Sequence, residues 1–319
     1  MDDQTPAPCV VLGGCGFIGA NLTLALAEAG HEVRCFDRFD PPAWAAPAQD
    51  VRFIKGCAEE PERLEQAMRG AEICFHLMST TIPKTSNDDP IYDATSNLVS
   101  SLRVLESCRA HGVRKIIFLS SGGTVYGQAR YTPIDERHPT HPLCAYGVTR
   151  LTIEKYLHMY HALHGLDYCV LRAANPYGPG QNPRSAQGAI GVFLGRMLNG
   201  ETIDIWGDGS VVRDFLYIQD LVRALMLAID HQGPTRLFNI GSGAGCRLNT
   251  LLDELAQATG RRPRTRRHPA RAFDAPVNVL DISAARAGLN WAPTISLPTG
   301  LRLTWEWLRA RNLNREDGP

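Results

Sequence analysis

The stretch "VVLGGCGFIG", residues 10–19, decides how this chain folds. An apolar run ends in glycines at 13, 16 and 19 and then opens an amphipathic stretch, the pattern of a strand turning directly into a helix. Gly13 permits the tight turn, Gly16 lets backbone approach a pyrophosphate, and Gly19 lets the helix pack on the strand. The helix mouth, entered through Phe17 and Ile18, then presents N–H groups to the phosphates. Such glycines also serve packing alone, so the flanks matter. Asp37 closes the next apolar run, 18 residues after Gly19. A carboxylate there accepts both hydroxyls of an adenosine ribose and repels a 2'-phosphate, which predicts NAD rather than NADP. Arg38 is the one neighbour that favours the phosphate.

Outward from this turn, short apolar runs alternate with helical stretches. Strands are expected at "CVVLGG" (9–14), "EVRCFD" (32–37), "VRFIKG" (51–56), "AEICFHL" (71–77), "KIIFLSS" (115–121) and "DYCVLRA" (167–173). The alternation predicts an α/β fold of the Rossmann type, a doubly wound parallel sheet with crossover helices. The longest helices are expected over Ile91–Ala110 and Ala145–His164. At "NPYGPGQNPRS" (175–185) the texture becomes rich in Gly and Pro, and shorter elements follow. Of these, "TIDIWGDG" (202–209) and "RLFNIGSG" (236–243) read as strands, and 218–230 and 248–260 as helices. The expected division is 1–174 for the NAD-binding domain and 175–319 for a smaller substrate lobe. The two interleave, with some segments crossing back.

The 319 residues carry 33 basic and 33 acidic groups, so no global field steers the protein to nucleic acid or an anionic membrane. One basic cluster, "RRPRTRRHPAR" (261–271), lacks interleaved aromatics and reads as a solvated strand rather than an RNA surface. Nine cysteines stand singly with no C-x-x-C pair, which suits buried small hydrophobes in a reducing compartment. Nothing in "MDDQTPAPC" resembles a signal peptide, and no run reaches membrane-spanning length. A cytoplasmic protein without a metal site is expected.

Seven pieces in one order carry a more specific message: "GGCGFIG" (13–19), "SNLVSSLRVLE" (96–106), "KIIFLSSGGTVYG" (115–127), "AYGVTR" (145–150), "LRAANPYGPGQ" (171–181), "GDGSVVRDFLYIQD" (207–220) and "RAFDAPVNVLDIS" (271–283). Over nearly its whole length the chain resembles an extended short-chain dehydrogenase/reductase, close to the nucleotide-sugar epimerases of the UDP-galactose 4-epimerase type. The resemblance implies an NAD-dependent epimerase of a nucleoside-diphosphate sugar, with UDP the expected nucleotide. Hydride and proton leave a sugar carbinol, the ketone rotates, and hydride returns to its other face.

In that family a tyrosine is the base, a lysine four residues on supplies charge and holds the nicotinamide ribose, and a serine or threonine completes the hydrogen bonding. Tyr146 matches the tyrosine. A phenol of pKa ~10 needs nearby positive charge to act near neutral pH. Residue 150, on the same helix face, is arginine, and no Y-x-x-x-K exists in the chain. Lys155 lies about 140° further round the helix. A guanidinium is bulkier and planar, so the expectation is a slowed site that Arg150→Lys would speed.

Gly122 stands where the family has its catalytic hydroxyl, leaving Ser121 and Thr124 as candidates and Ser120 as a strand-end cap. Related 4,6-dehydratases carry Asp-Glu at the positions of Gly123 and Thr124, and decarboxylases carry Glu at the latter. Neither carboxylate is present, which leaves epimerisation. The resemblance also assigns Asn97 to the cofactor, unless it merely caps a helix, and Asn175, Arg213 and Arg271 to the sugar nucleotide. Cys57 replaces an aspartate that often contacts adenine. A homodimer through the two long helices is implied. The rivals are a dehydrogenase or reductase on the same substrate class, and a catalytically weak binding protein.

Overall fold

All six apolar runs of the first half form strands: β1 (Cys9–Leu12), β2 (Val33–Asp37), β3 (Val51–Lys55), β4 (Ile73–His76), β5 (Lys115–Ser121) and β6 (Asp167–Ala173). The computed structural model describes residues 6–45, 51–185, 187–270 and 275–316. Between these strands run α1 (Phe17–Glu28), α2 (Pro61–Met68), α3 (Pro83–Asp88), α4 (Pro90–Asp93), α5 (Ser100–Ala110) and α6 (Ala145–His164). Strands covered on both faces read as unbroken apolar runs, and β1 and β4 are buried at every position.

The expected helix over 91–110 is interrupted. Its α4 and α5 segments are joined by a π-helical turn, Ala94–Val99. Side chains bond across the distortion: Asn97 Nδ2 donates to Asp93 Oδ1 at 3.1 Å, and Thr81 Oγ1 donates to the same oxygen. Such turns often mark functional positions.

After β6 follow β7 (Asn175–Tyr177), α7 (Ala189–Leu198), β8 (Ile203–Trp206), β9 (Val212–Tyr217) and α8 (Ile218–Leu227). The chain then crosses back. In β10 (Leu237–Ile240), "RLFNIGSG" joins the main sheet beside β6, giving the parallel order β3-β2-β1-β4-β5-β6-β10. The strand order reverses between β1 and β4, and a ligand crevice is expected at their carboxyl ends.

After β10 come β11 (Gly245–Arg247), α9 (Leu248–Thr259), β12 (Thr265–His268), β13 (Val277–Asn278), α10 (Ser283–Leu289) and α11 (Leu297–Glu316). β7, β11 and β13 all pair with β9, and β12 pairs with β8. Two buried carboxylates fasten these later elements. Asp214 accepts from the backbone N–H groups of Ser242 (2.7 Å), Gly243 (3.2 Å) and Leu280 (3.3 Å), while Asp220 accepts from those of Thr294 (2.9 Å) and Ile295 (3.0 Å). Each replaces loop pairing that no strand supplies.

Candidate active site

A groove of about 900 Å³ opens at the carboxyl ends of β1 to β4, lined among others by Gly13, Gly16, Asp37, His76 and Asn97. Its floor explains the glycines. A Cβ on Gly19 would stand 2.1 Å from the Gly13 carbonyl oxygen, so the helix cannot seat with any side chain there. Gly13 adopts φ 82° and packs on the backbone of Met78. Gly16 is different, because a Cβ on it would meet only the Gly13 carbonyl, at 3.4 Å. Its bare face is left to the groove. Phe17 and Ile18 turn their side chains onto the core, leaving backbone N–H groups for a ligand.

Asp37 is 9 % exposed. It accepts from the Cys15 N–H at 2.9 Å through Oδ2 and from the Phe39 N–H at 3.1 Å through Oδ1. Each oxygen keeps a lone pair for a ribose hydroxyl. Arg38 lies over its neighbour Phe39, 5.4 Å from the ring centre. Cys57 also lines the groove, its thiol donating to Glu60 at 3.2 Å. Asn97 is no helix cap. It sits inside the π-turn, where Oδ1 accepts from the Thr80 N–H at 2.9 Å and Nδ2 reaches Thr81 and Asp93 at 3.1 Å. The cap of α4 is Asp89, which accepts from the Tyr92 N–H.

Tyr146 and Arg150 come together on α6. The helix start is fixed from α3, where Ser86 Oγ accepts from the Tyr146 N–H at 3.0 Å and Asn87 Oδ1 from the Ala145 N–H at 2.9 Å. Arg150 is 4 % exposed. Its guanidinium donates to the carbonyls of Leu119 (3.2 Å) and Met78 (3.1 Å). The same group lies 5.0 Å from the ring centre of half-buried Tyr146 and 5.3 Å from that of Phe118. Burial, aided by the Arg150 charge, pushes the pKa of neighbouring His76 down to about 3, so that ring adds no charge of its own.

At the end of β5, Ser121 is half-buried and Thr124 holds a buried hydroxyl with no partner among the described residues. The Thr124 carbonyl lies against Gly147, next to Tyr146, where a Cβ would meet it at 2.9 Å. Ser120 is not a strand-end cap, since its hydroxyl donates to Glu154 of α6 at 2.5 Å. A side chain at Gly122 would have to displace Leu280. A Cβ there would stand 2.6 Å from Leu280 Cδ1 and 3.1 Å from the Arg172 carbonyl, and Asn278 Nδ2 donates to the Gly122 carbonyl at 3.1 Å. The segment after β13 thus fills the space a side chain at 122 would take.

At the start of β7, half-buried Asn175 donates to the Asp214 carbonyl at 2.8 Å. Arg213 donates to the carbonyls of Val212 (2.9 Å) and Ala275 (2.7 Å). Arg271 lies outside the described residues. Within the basic cluster, Arg266 pairs with Asp204 at 2.9 Å, Arg267 donates to Asn249 at 3.1 Å, and Arg261 lies over Trp305 at 5.5 Å. Reading the sequence missed Glu154, Asp93 and Thr149. Glu154 had a legible signal, standing four residues after Arg150. The bond from Thr149 Oγ1 to Asp93 at 2.6 Å joins residues 56 apart and had none.

Residues 9–241 match the NAD dependent epimerase/dehydratase family. The chain is 34% identical over 309 residues to the UDP-glucose 4-epimerase of Mycolicibacterium smegmatis, covering 95% of this chain and 99% of that protein. Among solved structures it resembles the UDP-glucose 4-epimerase of Thermotoga maritima with UDP-glucose, at TM-score 0.90 and 36% identity, covering 96% of this chain and 99% of that one. It also resembles the UDP-glucose 4-epimerase of Thermus thermophilus in complex with NAD, at TM-score 0.88 and 31% identity, covering 95% and 99%. With a glycine-rich strand-to-helix turn at the switch point and a tyrosine ring packed against a buried guanidinium, the chain belongs to the NAD dependent epimerase/dehydratase family.

Proposed function

We infer that this protein is an NAD-dependent epimerase of a UDP-sugar, working through transient oxidation of a sugar carbinol. The observation that carries the reading is the placement of Tyr146 against Arg150, whose guanidinium donates to the carbonyl of the groove-lining residue Met78. The residues fit the cofactor, since Gly16 bares its backbone to the groove, Gly19 seats the helix, and Asp37 offers two acceptor oxygens. When bound, NAD supplies a reversible hydride acceptor. Tyr146 takes the carbinol proton and returns it, Arg150 holds positive charge beside the phenol, and Ser121 or the orphaned Thr124 hydroxyl bonds the carbinol oxygen. Asn175, Arg213 and Arg271 are the proposed sugar-nucleotide contacts. Incubating the purified protein with a panel of UDP-sugars and resolving epimers by NMR tests the reading. Net NADH formation would make it a dehydrogenase, and binding without turnover would make it a binding protein.

Cofactor choice gives a prediction. NAD should bind on the order of tenfold or more tightly than NADP, the worth of charge-assisted bonds from a ribose to Asp37. Titration of each cofactor checks this, and equal affinities would shift the weight to Arg38.

The proposed assembly is a homodimer through the outer faces of α4 to α6. Ile91 (80% exposed), Val99, Val148, Met159 and Leu163 (67%) present hydrocarbon there. Sedimentation at micromolar concentration should give a dimer, and a monomer would remove this proposal. Among the described residues no helix is long and apolar enough to cross a membrane. All nine cysteines are free, which fits the proposed cytoplasmic location.

A further inference from the structure

Arg150 and Glu154 stand four residues apart on α6, the spacing at which opposite charges on one helix face pair. Their heads lie over adjacent residues of β5. Arg150 donates to the Leu119 carbonyl, and Glu154 accepts from the Ser120 hydroxyl. Yet they do not pair. The hydrogen-bond acceptors of Arg150 among the described residues are two neutral carbonyls. Glu154 is held instead by Arg172 of β6 through two parallel bonds, Nε to Oε1 at 3.0 Å and Nη2 to Oε2 at 2.6 Å. Both side chains are less than a tenth exposed. Arg172 lies in turn 4.8 Å from the ring centre of Tyr126, whose hydroxyl donates to Asn239 at 2.6 Å.

We propose that Arg172 is a positioning residue that keeps Glu154 from pairing with Arg150, so that the charge of Arg150 stays unneutralised beside Tyr146. The proposal rests on the acid–base reading of Tyr146 given above. A buried carboxylate stripped of its partner seeks another cation, and the one spaced to meet it on its own helix is Arg150. That pairing would cancel much of the field that the guanidinium exerts on the phenol, in a setting where water screens little.

The other titratable groups around this end of α6 are already committed or exposed. Asp93 of α4 is engaged by Thr81, Asn97 and Thr149. His76 of β4 stays neutral, and Cys144 at the helix start has its thiol pKa raised by burial. Lys84 and Asp88 of α3, and Lys155 of α6, lie exposed. Glu106 of α5 is taken by Tyr160 and Arg109, three turns further along α6.

The test compares Arg172→Met, Glu154→Gln and the double variant. The first readout is NMR of [13Cζ]tyrosine-labelled apo-protein, with the Tyr146 signal assigned by Tyr146→Phe, which needs no substrate. The second is the pH dependence of kcat on whichever UDP-sugar is active. Arg172→Met should move the Tyr146 titration up by about one pH unit or more and lower kcat at neutral pH about tenfold. The double variant should return both to near the wild-type values, and Glu154→Gln alone should give no upward shift. If Arg172 merely braced the fold, the single and double variants would behave alike, and the proposal would be overturned. An upward shift in Glu154→Gln would overturn it too, and remains decisive if Arg172→Met fails to fold. Titrations that follow the expected pattern in a protein that turns over no UDP-sugar would leave the proposal standing and remove the epimerase reading instead.

Discussion

Tyr146→Phe is expected to lower kcat on the order of a thousandfold while changing the Kd for NAD less than about twofold. A positioned general acid–base typically contributes 10²–10⁴ in rate, and here the proposed proton carrier is a single phenolic oxygen. The ring itself survives the substitution, so its stacking on Arg150 at 5.0 Å is kept. The start of α6 is held through backbone N–H groups on Ser86 and Asn87, not through the phenol. Folding and cofactor binding are therefore insulated from the change. Steady-state kinetics on the active UDP-sugar, with NAD titration as the control, checks the expectation. A variant retaining more than a third of wild-type kcat would remove the base on which the mechanism rests.

What the sequence disclosed follows from how local each signal is. The six strands β1 to β6 lie in a sheet covered on both faces, so each is an apolar run that can be read without its neighbours. Gly13, Gly16, Gly19 and Asp37 form one strand-turn-helix-strand unit with fixed spacing, which is why that turn was legible. β10 carries the same kind of apolar run, but nothing in "RLFNIGSG" says which sheet it joins. Its partner β6 lies more than sixty residues earlier. β11 and β13 are three and two residues long, too short for any period.

Gly122 shows the same limit inside the site. Its lack of a side chain reads as a lost hydroxyl until Leu280, 158 positions later, is seen occupying the space. The π-turn at Asn97 was equally hidden, because the bonds that engage its side chain come in part from Thr80 and Thr81 in the loop after β4. Glu154 lies between these cases. Its spacing from Arg150 was visible, but its partner Arg172 sits on the strand β6, and only the fold reveals that the obvious pair is not made.

Arg150→Met should lower kcat about a hundredfold, and Arg150→Lys about tenfold. The second figure reverses the gain expected from the sequence, and the reason is geometric. The guanidinium spans two carbonyls, Leu119 on one strand and Met78 beyond the end of another, with its centre 5.3 Å and 5.0 Å from the ring centres of Phe118 and Tyr146. Lysine keeps the charge but concentrates it on one atom at the end of a shorter reach. It can serve one carbonyl or the other, and it gives up part of the contact with both rings. Methionine also removes the charge, which is worth one to three pH units in the ionisation of a close neighbour. Each lost donor further leaves a carbonyl in the buried wall less satisfied, at about 1–3 kcal/mol apiece, so thermal stability should fall in the same order, Met below Lys below wild type. Comparing kcat and melting temperature across the three proteins separates charge from shape. If lysine raises kcat above wild type, the arginine is a tolerated substitute for a smaller cation. If lysine and methionine are equally poor, the two-carbonyl fork rather than the charge is what the site requires, and the electrostatic account of Arg150 fails.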